Sequence, residues 1–219
     1  MFHSIAVAFH EGGWGMYPIL IFLILIIAFS VERFVYLFFK AKINKDAFIS
    51  ALEKLILQGD VPRAIKLCNA TEAPMARILK AGLMRAQKSD EEVQAAMDEA
   101  SLREIPKIEK RTGFLAMFGN IAVLAGLLGT VTGMIKSFAS VAGVDASKKA
   151  ELLAGGISEV MNCTAFGLGT AILGLLAFAV LQNLSQHLLD DINEATVRVL
   201  NLVTNNRERM NVEGGAGRP

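Results

Sequence analysis

Apolar runs alternate with charged, helix-patterned stretches along this chain, and three of the runs are long enough to cross a membrane. A hydrocarbon core takes about 20 apolar residues at ~1.5 Å each. The first run, 14–39, is free of charge from Gly12 through Val31, is interrupted by Glu32 and Arg33, and is apolar again to Phe39. The second occupies 113–138. The third occupies 156–184, with no Asp, Glu, Lys, Arg or His between Glu159 and His187. The pattern predicts an all-α membrane protein. It has three transmembrane helices, a helical insertion at 40–112, a connection at 139–155 and an N-terminal segment at 1–13. At 185–219 an amphipathic helix and tail follow, so that long helices extend into the cytoplasm.

The polar parts read as helices with identifiable ends. From Lys45 to Leu57 the apolar positions are Phe48, Leu52, Leu55 and Ile56, stopped by Gly59. Asp60 with Pro62 behind it starts a helix that ends before Asn69. Another helix carries Met75, Ile78, Leu79 and Leu83. Ser89 and Glu92 have the spacing of a capping box. The long helix they open is expected to run on into the second span, bent at Pro106. Beyond Leu184 the apolar positions Leu188, Ile192, Ala195, Val199 and Val203 keep helical spacing, and a loose tail is expected from Asn211.

Placement of positive charge orients the chain. No Lys or Arg precedes Arg33, whereas fourteen lie between Lys40 and Arg111; the connection after the second span holds only Lys148 and Lys149, with Lys136 before it. The N-terminus is therefore expected outside and the insertion and C-terminus in the cytoplasm. The first span lacks the basic start and cleavage site of a signal peptide. Trp14 and Tyr17 stand where an interfacial aromatic belt would put them. Arg33 is expected to snorkel at the inner boundary, with Glu32 turned toward protein.

Overall charge adds little, with 22 Lys+Arg against 21 Asp+Glu. The bilayer is the expected environment and no nucleic acid is expected as a partner. Cys68 and Cys163 fall in unlike segments and His3, His10 and His187 are isolated, so neither a disulfide framework nor a metal site is expected. There is no nucleophile–base pair or phosphate loop to suggest an enzyme or a cofactor.

The second and third spans are asymmetric around the helix. At ~100° per residue, Gly119, Ala122, Gly126, Gly129, Thr130, Gly133, Ser137 and Ser140 share one narrow arc. Met117, Ile121, Leu124, Leu128, Val131 and Ile135 lie opposite. In the third span Gly156, Cys163, Thr164, Gly167, Ala171 and Gly174 share a small face flanked by Glu159 and Thr170, while Met161, Leu168, Ile172 and Leu176 point away. Small faces let helix backbones approach. The hydroxyls of Thr130 and Thr164 can bond a helix carbonyl or face water. Glu159, a carboxylate in the membrane region, is a functional candidate. It also lies in the first turn of its span, where the helix dipole favours it and Lys136 could pair with it.

Gly126-Leu-Leu-Gly-Thr130-Val-Thr-Gly133-Met followed by Gly156-Ile-Ser-Glu159-Val-Met-Asn-Cys-Thr164-Ala-Phe-Gly167-Leu resembles the paired signature of the MotA/TolQ/ExbB proton-channel family. Gly12-Gly13, Met16-Tyr17-Pro18-Ile19-Leu20 and Glu32-Arg33 are similar to that family too, and three spans match its ExbB/TolQ branch. The resemblance implies a pentamer of this chain in the bacterial inner membrane around a single-span ExbD/TolR-like partner that brings a membrane Asp. It implies an ion path past Thr130 and Thr164, Glu159 near the outer mouth, and Gly126, Gly129, Gly133 and Gly167 facing the pore. Such a complex is a motor in which proton flow, driven by the proton motive force, does work on envelope partners. Many such relatives carry Pro where this chain has Val123. Two other readings use the same residues: an assembly scaffold with no ion path, and a self-sufficient ion channel.

Overall fold

In the computed structural model, residues 13–41 and 43–215 are described. Segment 1–12, with His3, His10 and Gly12, lies outside the described residues, as do Lys42 and 216–219 of the expected tail. Every element is helical. They are α1 (Met16–Val35) with a π-helical turn (Tyr36–Ala41), α2 (Lys45–Leu57), α3 (Val61–Asn69), α4 (Pro74–Leu83), α5 (Asp90–Glu109), α6 (Thr112–Ser140) and α7 (Ala146–Gly215). Three helices are long and apolar enough to cross a membrane. The chain forms two units: Met1–Arg33 with Arg111–Leu181, and Phe34–Lys110 with Gln182–Pro219.

In the first unit α1 packs on α6 through Phe22, Phe29, Phe114 and Phe118, with neighbouring ring centroids 5.6–6.1 Å apart. Ile19 is buried with Ala122 and Cys163, joining α1 to both other helices. The opposite faces, including Leu124, Leu128, Val131, Ile135, Met161, Leu168, Ile172 and Leu176, are exposed. That is the division between small and large faces that the helical wheel predicts. Trp14 and Tyr17 are exposed at 56% and 60%, as interfacial residues are. Glu32 pairs with Arg111. Arg33 is buried rather than snorkelling.

The second unit shows why its helices stop where they do. Gly59 takes φ +76, its N–H bonding Ile56 O at 3.0 Å and that of Asp60 bonding Leu55 O at 3.0 Å. This is the Schellman arrangement that only a residue free of Cβ strain enters at low cost. Asp60 then caps α3, accepting from Arg63 N at 3.0 Å. Ser89 caps α5 through Glu92 N, but the Glu92 carboxylate bonds Lys88 at 2.7 Å instead of returning to Ser89. The expected capping box is thus half formed. Met97 of α5 fills the space a side chain on Gly82 of α4 would need.

Lys45 ties α2 to α7 through Asp191 at 2.7 Å and Glu194 at 2.8 Å, followed by Arg198–Glu53 at 2.9 Å. Hydrogen bonds to the two carboxylates raise the Lys45 pKa above its ordinary value. The pairing therefore contributes fully below the ordinary lysine pKa and is lost only as pH climbs through the raised value, well above neutrality. Leu188, Ile192, Ala195, Val199 and Val203 of α7 are all buried, which confirms the spacing beyond the third span.

Cys68 is buried, and desolvation pushes its thiol up to about 11 although Lys80 pulls the other way. Because the thiolate is the reactive form, Cys68 is expected to resist alkylation at pH 7.5 in the folded protein and to react once unfolded. Peptide mass spectrometry after iodoacetamide treatment checks this.

Three helix boundaries differ from expectation. α5 does not run on into the second span bent at Pro106. It ends at Glu109, Lys110 donates to Pro106 O at 2.9 Å, and Arg111 takes φ 67 before α6 begins. Left-handed backbone at a non-glycine residue costs about 1 kcal/mol, and the Arg111–Glu32 ion pair forms at that residue. Helix extends into the expected 139–155 connection, since α6 reaches Ser140 and α7 starts at Ala146; Gly143 turns the chain between them with φ +84. α7 also continues to Gly215, through residues expected as loose tail.

Candidate functional site

The site grows out of the contact between α6 and α7. A Cβ on Gly126 would lie 3.4 Å from the Cys163 carbonyl oxygen and 3.5 Å from the Cα atoms of Gly167 and Thr164. One on Gly167 would lie 2.8 Å from the Ala122 carbonyl oxygen and 3.2 Å from Gly126 Cα. Gly119 and Gly174 continue the seam, Gly174 coming within 3.1 Å of the Leu115 carbonyl in the same sense. The two backbones touch because neither helix carries side chains there.

Gly126, Gly129 and Gly167 are buried in the chain's own fold, and Gly133 meets Val160, so the facing helix covers these surfaces. They bring the two backbones together.

What close approach achieves is the meeting of Thr130 and Thr164. Their half-buried hydroxyls hydrogen-bond each other across the seam. Thr130 Oγ1 also donates to Gly126 O at 2.9 Å, and Thr164 Oγ1 to Val160 O at 3.2 Å. Three hydrogen bonds are drawn here, but two hydroxyls hold two protons. One acceptor is therefore always unfilled, and the pair can reverse direction by rotating two C–O bonds. A hydroxyl pair of this kind can accept from a protonated acid or coordinate a cation, and can donate to an anion.

Glu159 is half-buried at the end of α7 nearer Ala146. It is not ion-paired with Lys136, which is exposed; its carboxylate lies against the backbone of Gly13. One turn on, Cys163 is buried between Gly15 and Gly129. The turn entering α1 thus belongs to this site, a role for Gly13 and Gly15 that helix periodicity does not show; their only signal was the glycine-rich run before the first span. Thr170 is 2% exposed and its hydroxyl has no hydrogen-bond partner among the described residues.

Three apolar helices thus meet, two of them along a glycine seam at which the Thr130 and Thr164 hydroxyls pair. Residues 70–194, more than half of the chain, match the MotA/TolQ/ExbB proton channel family, and the chain belongs to it. Within that family its relatives carry ExbB and TolQ names. The biopolymer transport protein ExbB-like 1 of Synechocystis sp. is 30% identical over 188 residues, covering 83% of this chain and 72% of that protein. ExbB-like 3 of the same organism is 29% identical over 189 residues, 86% of this chain and 90% of that protein. The Tol-Pal system protein TolQ of Haemophilus influenzae is 36% identical over 83 residues, 38% of this chain and 36% of that protein.

Proposed function

We propose that this chain is the wall subunit of a proton-driven motor in the bacterial inner membrane, working as a pentamer around a single-span ExbD/TolR-like partner that carries a membrane Asp. The observation that carries the reading is the Thr130–Thr164 hydroxyl pair, held together by glycine contacts in spans that have no Asp, Glu, Lys, Arg or His between Arg111 and Lys136 or between Glu159 and His187. A proton crossing hydrocarbon needs a titrating group or water along its way. This chain offers hydroxyls at that depth and no acid, so the acid comes from elsewhere. Protonation of the partner Asp changes whether it prefers the wall or water, and the hydroxyl pair hydrogen-bonds either form. Proton flow is thereby coupled to movement of the partner relative to the wall, and the work is delivered to envelope partners. The excess of Lys and Arg at 40–111 puts the N-terminus in the periplasm and the C-terminus in the cytoplasm. Glu159 adds negative charge at the outer end of the path.

Reconstitution tests this. The chain is expected to pass few protons in liposomes by itself, and to do so when co-purified with its single-span partner. Changing the partner's membrane Asp to Asn is expected to stop the flow. Proton flux from this chain alone would instead make it a self-sufficient channel.

A further inference from the structure

The turn ahead of α1 meets the hairpin in a way that proton passage by itself does not require. Gly13 takes φ +66, and Met16 N donates to its carbonyl at 3.3 Å, so the turn is joined to the start of α1. The Glu159 carboxylate occupies the place where a side chain on Gly13 would stand. Its Cδ and Cγ would be 3.0 and 3.5 Å from a Cβ there, and its Oε1 closer still. Gly15 repeats the fit one turn along α7, where its would-be Cβ lies 2.9 Å from Cys163 Sγ and 3.2 Å from Gly129 Cα. Glu159 and Cys163 are four residues apart and so share a helix face, and that face is turned to the glycine turn. Thr164, the next residue, faces Thr130 of α6 instead.

We infer that Gly13 is a positioning residue for Glu159: the missing side chain makes a seat that holds the carboxylate on the α1 side of the hairpin. The inference rests on the reading of Glu159 as part of the ion path, and it adds what fixes the carboxylate there. The seat is specific to glycine for two separable reasons, the left-handed backbone and the space the carboxylate fills. Gly143 separates them, because it has φ +84 and nothing within 4 Å of a Cβ. Alanine there carries the backbone cost alone.

The experiment uses the full chain purified with whatever partner accompanies it. Glu159 is labelled with a water-soluble carbodiimide and an amine and quantified by mass spectrometry, and melting temperatures are measured in parallel. Gly13→Ala is expected to raise labelling of Glu159 severalfold and to lower the melting temperature more than Gly143→Ala, which leaves labelling unchanged. In a Glu159→Ala background the two alanine substitutions are expected to cost the same, since the collision is gone. Glu159→Asp, which draws the carboxylate back by one methylene, is expected to raise labelling without touching the turn. Unchanged labelling in Gly13→Ala, or an excess cost that persists without Glu159, would overturn the inference and leave Gly13 an ordinary turn residue. If Glu159→Gln keeps full energised work while Gly13→Ala still frees the carboxylate, the seat stands and the ion-path role of Glu159 falls.

Discussion

Valine at Thr130 or Thr164 is expected to cut energised proton flow roughly ten- to hundredfold while the complex still assembles. A hydrogen bond to a charged or titrating group is worth about 1.5–3 kcal/mol, and each ~1.4 kcal/mol added to a barrier slows a step tenfold. Assembly survives because valine nearly matches threonine in shape, and an interhelical hydroxyl bond in a membrane contributes only about 0.6 kcal/mol on average. Serine at either position keeps the hydroxyl and is expected to retain most of the flow. The double valine variant is expected to lose little more than the worse single one, because both substitutions remove the same Thr130–Thr164 bond. Flux in liposomes, with complex recovery on gel filtration as the assembly control, checks all five variants. Full flow in both valine variants would leave the hydroxyls outside the path and favour an assembly scaffold.

The largest structural effect is expected at Gly167. Alanine there drives a methyl group to 2.8 Å from the Ala122 carbonyl oxygen, a backbone atom that cannot rotate away. Overpacking of this kind costs about 1–3 kcal/mol, and the seam would open where Gly126 and Thr164 lie. Gly169, two residues on, has nothing within 4 Å of a Cβ, so its alanine variant is expected to fold as well as the parent. Thermal melting of the purified proteins separates the two: Gly167→Ala should melt several degrees lower, and Gly169→Ala should not. Equal melting would mean that the two backbones do not meet at this glycine. Because the same contact brings Thr130 to Thr164, Gly167→Ala is also expected to lose proton flow in whatever fraction assembles.

Some of this site could be read from residue order and some could not. Thr130 and Thr164 were marked by hydroxyls among small residues on two helix faces, and a wheel finds such faces because helix geometry is local. The same wheel leaves open what a small face turns toward. Gly126, Gly129 and Gly167 fit a pore lining and a helix contact equally well until the facing backbone is placed, and here it covers them. Glu159 shows the limit more sharply. Lys136 and the helix dipole were its nearest candidates along the chain, but its neighbour is Gly13, 146 positions away. Likewise the break at Lys110–Arg111 was missed because Pro106 is the local breaker, whereas the ion pair that Arg111 makes is with Glu32 on another helix.

Residue order by itself determined the number of spans, the helical character of every element, the stop at Gly59 and the starts at Asp60 and Ser89. It also set the buried stripe from Leu188 to Val203. Each follows from interactions within a few residues: apolar length against hydrocarbon thickness, the 3.6-residue period, and caps that satisfy nearby backbone groups. Tertiary structure alone decided that the glycine faces close on each other, that two threonine hydroxyls meet, and that Glu159 rests on the turn before α1. Those contacts join residues far apart in the chain, and they depend on how closely two helix backbones approach, a distance set by every side chain along the seam together.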